Sequence, residues 1–268
     1  MTQLEDTPTP EIHFGAYSDA GRVRTENQDA YGQFLREDGK ERLFVVADGM
    51  GGHRGGRAAS TEALRVVSET YLRTPGPDVK ERLQHAFQAA NTHVNERAHA
   101  EASTAKMGTT CTALVLVDGR AVLGHVGDSR AYRLGAVALE GEAALEGEAA
   151  LEHGAAFEQL TQDHTPVAEM RREGLLTDAE AKDHPRRHVL SRALGIEPVL
   201  EMDAFGVETP RPGDRFLLCT DGLLSLPERE IEHAMRTQEP QVACETLVQQ
   251  ANRRDGSDNL TALLVALD

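Results

Sequence analysis

Short apolar runs rich in β-branched and aromatic residues recur along the 268 residues, and several stop at an aspartate next to a glycine. Leu43-Phe44-Val45-Val46-Ala47 reads as a buried strand and ends at Asp48, followed by Gly49, Gly51 and Gly52. The run 215–220 ends at Asp221-Gly222, the run 121–126 ends at Gly127-Asp128, and Asp258-Asn259 opens a last strand over 260–267. Further strands are predicted at 12–16, 108–117, 131–134 and 157–160, with a hairpin turn at Asp118-Gly119. Apolar residues at three- and four-residue spacing predict a helix over 55–73, stopped by Thr74-Pro75-Gly76-Pro77. A second helix, over 78–102, is capped by Asp78. Shorter helices are predicted near 167–173, 177–181, 227–236 and 241–253.

A strand that ends in Asp-Gly is also an ordinary turn, and Asp118-Gly119 is read as nothing more. Recurrence changes the picture. Three strand-end acids and one strand-start acid together suggest a site where carboxylates from separate strands converge. The glycines let the backbone turn tightly, bring a carbonyl close to an ion and leave room for a ligand. The polar loop 18–32 adds Arg24, a guanidinium fork suited to phosphoryl oxygens, and Asp29, a hard carboxylate suited to a hard cation. By contrast, His85, His93 and His99 on the second helix miss the i, i+4 spacing of helix-borne ligands and are read as surface residues.

Composition narrows the function classes. With 44 acids against 28 bases the net charge is −16, which argues against nucleic acid and anionic membrane as partners. The first ten residues hold two Thr-Pro pairs and no apolar stretch, so they are read as a flexible leader, not a signal peptide. With no long apolar window, the expectation is a cytoplasmic, monomeric protein with one domain over 11–268. Cys111, Cys219 and Cys244 are odd in number, widely spaced and set in apolar patterns, hence expected as buried free thiols. Two segments stand apart. Residues 136–155 contain a six-residue Ala-Leu-Glu-Gly-Glu-Ala repeat, read as a low-complexity surface insertion, and 161–201 is a polar, interrupted connection carrying Arg186, Arg187 and Arg192, read as a lid.

Taken in order, these pieces resemble the metal-dependent protein phosphatases of the 2C type (PPM family), particularly their compact bacterial members. The resemblance rests on Ser18-Asp19, Arg24 and Asn27-Gln28-Asp29; Ala47-Asp48-Gly49-Met50-Gly51-Gly52; Gly108-Thr109-Thr110; and Gly127-Asp128-Ser129-Arg130. It continues through Asp163-His164, His184-Pro185, Arg192-Ala193-Leu194-Gly195, Thr220-Asp221-Gly222 and Asp258-Asn259. It implies an α+β fold, a four-layer αββα sandwich of two antiparallel sheets flanked by helix pairs, with a metal centre at one end between the sheets. It also implies that Asp48, Asp221 and Asp258 hold one Mn²⁺ or Mg²⁺ ion and that Asp29, Asp48 and the Gly49 carbonyl hold a second. Asp128 with Asp221 would make a third, weaker site. Arg24 would bind the substrate phosphate, and 161–201 would be a mobile flap.

The activity implied is hydrolysis of phosphoserine and phosphothreonine in proteins by in-line attack of a metal-bridging water, opposing a Ser/Thr protein kinase. An all-oxygen ligand set favours Mg²⁺ or Mn²⁺ over zinc. One departure matters: many members carry a His after the Asp-Gly as general acid, and here that residue is Met50, which cannot donate a proton. Metal-bound water or His53, three residues on, is the candidate donor. His188 is a second departure, in the flap. A non-catalytic phospho-ligand module would lack one of the five acids, and none is missing; a nuclease would need the basic groove that the charge denies.

Overall fold

A computed structural model describes residues 11–100, 107–136, 156–207 and 210–268, except for the side chains of His53 and Arg54. The leader over 1–10 and nearly all of the repeat segment lie outside the described residues. The N-terminal half runs β1 (Ile12–Asp19), β2 (Asp29–Leu35), β3 (Glu41–Met50), α1 (Gly52–Arg73), α2 (Val79–Ala100), β4 (Gly108–Thr109), β5 (Cys111–Val117) and β6 (Arg120–Val126). There follow β7 (Arg130–Leu134), β8 (Phe157–Gln159), α3 (Pro166–Arg172), α4 (Asp178–Lys182), β9 (Asp203–Val207), β10 (Arg215–Cys219), a 3-10 turn at Asp221–Ser225, α5 (Glu228–Thr237), α6 (Pro240–Arg254) and β11 (Leu260–Leu267).

The strands form two antiparallel sheets, in the orders β1-β11-β10-β7-β8 and β2-β3-β5-β6-β9, with β4 paired to β3. The two-residue period of a strand divides each central strand between two cores. In β3, Leu43 and Val45 face α1 and α2, while Phe44 and Val46 face the other sheet. In β10, Leu217 and Cys219 pack with α5 and α6, while Phe216 and Leu218 point between the sheets. Helix pair, sheet, sheet and helix pair are therefore four layers. Both faces of the central strands are buried, which is why their sequences show apolar runs without polar alternation. All three cysteines are buried and free.

Two of the boundaries that differ from the sequence expectation bear on the site. The strand predicted to stop before Asp48 continues to Met50, because Asp48 pairs with Asp29 on one side and Gly49 and Met50 pair with Thr109 and Gly108 on the other. The strand predicted as 12–16 runs on to Asp19, since β11 offers it eight consecutive partners. Asp118 and Gly119 both have positive φ, 47° and 68°, the geometry of a tight hairpin turn.

Candidate metal centre

Strand register brings the acids to one end of the sandwich. Asp29, the first residue of β2, lies directly opposite Asp48. Opposed residues in an antiparallel pair stand side by side on one face, and two carboxylates there repel. On the other sheet, Cys219 at the end of β10 pairs with both Ala262 and Arg130. Asp221 and Asp128 each lie two residues beyond that level, and Asp258 lies two residues before β11 opens at Leu260 opposite Asp19, so all three stand at the end of the sheet that faces Asp29 and Asp48.

Neutral groups hold these acids in place. Asp29 Oδ2 accepts hydrogen bonds from Thr220 Oγ1 (2.8 Å) and Thr261 Oγ1 (2.6 Å), and Thr261 shares a 2.7 Å bond with Ser18. The Asp48 N–H donates to Thr110 Oγ1, whose own partner is Ser129 Oγ beside Asp128. Buried Asn259 stitches the loop before β2 to the start of β11: its Oδ1 accepts from Gln28 N–H, and its Nδ2 donates to the Ala20 and Glu26 carbonyls. Gly49 is obligatory on steric grounds, because a Cβ there would lie 2.0 Å from the Gly56 carbonyl oxygen.

Among the described residues the cations near this cluster, Arg24 at Asp258 and Arg130 near Asp128, do not offset the repulsion among its acids. Burial is the largest influence on Asp29 and pushes its carboxyl up to about 7, and the charges of Asp221 and Asp258 push the same way. Asp48 and Asp128 are held well above the usual range, first by burial and then by neighbouring acids: Asp29, Asp221, Asp128 and Asp258 act on Asp48, Asp221 and Asp163 on Asp128. Asp29 Oδ1 and Asp221 Oδ1 are buried with no hydrogen-bond partner. Among the described residues, no three His, Cys, Asp or Glu side chains stand in the arrangement that holds a metal ion. Each acid rests on another neighbour: Asp29 on its threonines, Asp258 on Arg24 at 2.7 Å, Asp221 beside His188 at 3.5 Å. The donor set still suits a hard divalent cation, with orphaned carboxylate oxygens and a glycine that leaves its carbonyl approachable.

The comparisons with known proteins agree with the geometry. The family model described as protein phosphatase 2C matches residues 21–265. The chain belongs to the protein phosphatase 2C family. It is 34% identical over 260 residues to the serine/threonine phosphatase stp of Listeria innocua, covering 95% of each chain. Among solved structures it resembles the Streptococcus agalactiae serine/threonine phosphatase with a TM-score of 0.82 at 27% identity, covering 96% of this chain and all of that one. The catalytic domain of the serine/threonine protein phosphatase PstP, in complex with two manganese ions, matches at 31% identity and TM-score 0.76, covering 96% of this chain and 98% of that one.

In this protein phosphatase 2C chain Asp48, Asp128, Asp221 and Asp258 open onto a cleft of about 1310 Å³. Arg24, Met50 and Gly51 line it from the body, and Arg171, Arg187 and His188 line it from segment 161–201. Arg24, which the sequence suggested for phosphate binding, reaches the cleft but is engaged with Asp258; it is half exposed, so the contact is easily exchanged. His53 falls in the first turn of α1, and its side chain lies outside the described residues. His85 and His99 are exposed and His93 is bonded to Glu62, in keeping with a surface role. Sequence reasoning assigned no role to Asn259, Thr110, Thr220 or Thr261. The Thr-Asp and Asp-Asn dipeptides around the strand ends were the available signal.

Proposed function

We propose that this chain removes phosphate from phosphoserine and phosphothreonine in proteins, with Mg²⁺ or Mn²⁺ held by the strand-end acids. The observation that carries the reading is the gathering of five carboxylates at one end of the sandwich, with two buried oxygens unpartnered and burial raising Asp29, Asp48 and Asp128. Asp48, Asp221 and Asp258 would hold one ion, and Asp29, Asp48 and the Gly49 carbonyl a second. Asp128 and Asp221 would hold a third more weakly. Bound there, divalent cations supply a nucleophilic water of lowered pKa and offset the charge on phosphoryl oxygens.

The chain's own residues do the rest. Thr109 Oγ1 donates to the Asp48 carbonyl, Thr110 N–H donates to the same oxygen, and the Asp48 N–H donates to Thr110 Oγ1, so the shared acid sits on a fixed backbone. Arg24 turns from Asp258 to the phosphoryl group, where its planar fork matches two oxygens. Met50 contributes apolar surface and no proton, which leaves His53 as the side chain proposed to protonate the departing alkoxide. Segment 161–201 acts as a flap beside the cleft and excludes water from it. Residues 11–268 work as one catalytic domain, as a monomer in the cytoplasm, against a Ser/Thr kinase. No helix among the described residues is long and apolar enough to cross a membrane.

The test is hydrolysis of a phosphothreonine peptide with Mn²⁺ or Mg²⁺, against an EDTA control and Asp221→Asn. Turnover that requires both the metal and Asp221 is expected, with the variant down by about 10³-fold or more. A folded protein that binds the phosphopeptide without turnover under either metal would replace this reading with a phospho-ligand module.

A further inference from the structure

His164 is fully buried at the root of segment 161–201, and its polar atoms reach three other parts of the chain. Its backbone N–H donates to the Gly127 carbonyl at 2.7 Å, and its ring Nδ1 accepts the Gly127 N–H at 3.1 Å. Its carbonyl accepts the Ser191 N–H at 2.8 Å, on the returning end of the same segment. Because Nδ1 accepts, the proton of the neutral ring resides on Nε2, which donates to Asp203 Oδ2 at 3.2 Å. The other Asp203 oxygen takes Arg192 Nη1 at 3.3 Å. The His125 ring packs on His164 at 4.7 Å, and its Nε2 bonds the Gln162 carbonyl at 3.1 Å.

On its far side Gly127 has no slack. Its φ is +111°, and a Cβ there would stand 2.5 Å from Thr110 Cγ2. The turn that carries Asp128 is thus gripped between Thr110 and His164, and His164 is itself fixed by both roots of the flap and by the start of β9. We propose that His164 is a positioning residue through which the placement of the flap sets the placement of Asp128. The inference rests on the reading of Asp128 as a working acid and of 161–201 as a flap. A flap seated by a phosphoprotein in the cleft holds His164 more firmly against the Gly127-Asp128 turn, so the firmness with which this acid is held follows occupancy of the cleft.

Asp203 gives the test, because it lies at the start of β9, is partly exposed and touches neither Gly127 nor Asp128. Amide hydrogen exchange is compared in metal-free wild type, Asp203→Ala and Asp203→Asn. In Asp203→Ala the amides of Gly127, Asp128 and Ser129 are expected to exchange about tenfold faster, with α6 unchanged. Asn, which retains an acceptor for His164 Nε2, is expected to restore them to within about twofold. Unchanged exchange at 127–129 in the Ala variant overturns the proposal. So does an equal rise in every element, which marks general loosening. Exchange is read without metal or substrate, so failure here leaves the phosphatase reading to its own hydrolysis test.

Discussion

Strand β3 carries a carboxylate near each end, and the two are treated in opposite ways. Glu41, its first residue, is buried among partners: Arg82 and Arg36 pair with it, Tyr71 donates to it, and the Arg82 guanidinium lies 4.7 Å from the Tyr71 ring centroid. These contacts outweigh the effect of burial, which acts the other way and is the largest single influence, and hold its carboxyl below the usual range. Asp48, seven residues and about 23 Å along the strand, is half-buried among other acids, and desolvation and their charges raise it. One end of the sandwich is self-neutralised and the other is not. Repulsion that folding must overcome without return is retained where something outside the chain compensates it, which is the physical signature of a cation site.

The largest test of this contrast is at the neutralised end. Glu41→Gln leaves the Arg82 charge buried with no ionised partner and is expected to lower stability by about 3 kcal/mol. Activity per folded molecule, measured as kcat below the melting range, should stay the same. Loss of activity without loss of stability would place Glu41 in the function and break the comparison.

Next in size is the pH dependence of the metal-free protein, where the two ends have opposite signs. Asp29 has its folded pKa raised from 3.8 to about 7, so its contribution is best at low pH and is lost as pH rises through that interval. The slope approaches one proton, about 1.4 kcal/mol per pH unit. Glu41, held below its usual 4.5, contributes above that value and loses its contribution as pH falls. Urea titrations between pH 4 and 8 should therefore show the fall toward pH 7 made shallower in Asp29→Asn, where Asp48 and Asp128 still contribute, and kept in Glu41→Gln. A slope in Asp29→Asn equal to that of wild type contradicts the assignment.

The smallest effect belongs to Arg24, the cation that reaches one of the acids. Its ion pair with Asp258 is half exposed, so Arg24→Ala should cost the metal-free protein about 1 kcal/mol or less by thermal melting. A larger loss would mean that the cluster is more nearly neutralised within the chain than this account holds.

What the sequence disclosed divides along the same line. Asp48, Asp128 and Asp221 were legible because each follows an apolar run, Asp258 because it opens one and Asp29 by its place in the polar loop 18–32, and the four layers left their mark as strands without alternation. The Glu41–Arg82 pair was not legible. Its partners lie 41 residues apart, and an Arg on an amphipathic helix reads as a surface residue until tertiary packing buries it. The His164 hub was hidden for the same reason, since its partners at Gly127, Ser191 and Asp203 meet only in the folded chain. The end of β3 was placed too early because Asp-Gly is turn chemistry locally, and only the pairing partners at Asp29, Thr109 and Gly108 carry the strand on to Met50.

The most direct measurement of the central claim is the melting temperature of wild type and Asp48→Asn, each with EDTA and with saturating Mn²⁺. Without metal, the variant should melt above wild type, because one repelling charge is gone. With Mn²⁺ at about 100 times the dissociation constant, wild type should gain about 2.7 kcal/mol and overtake it, while the variant gains far less. A variant that melts below wild type in EDTA, or a wild type that Mn²⁺ leaves unmoved, would contradict the account.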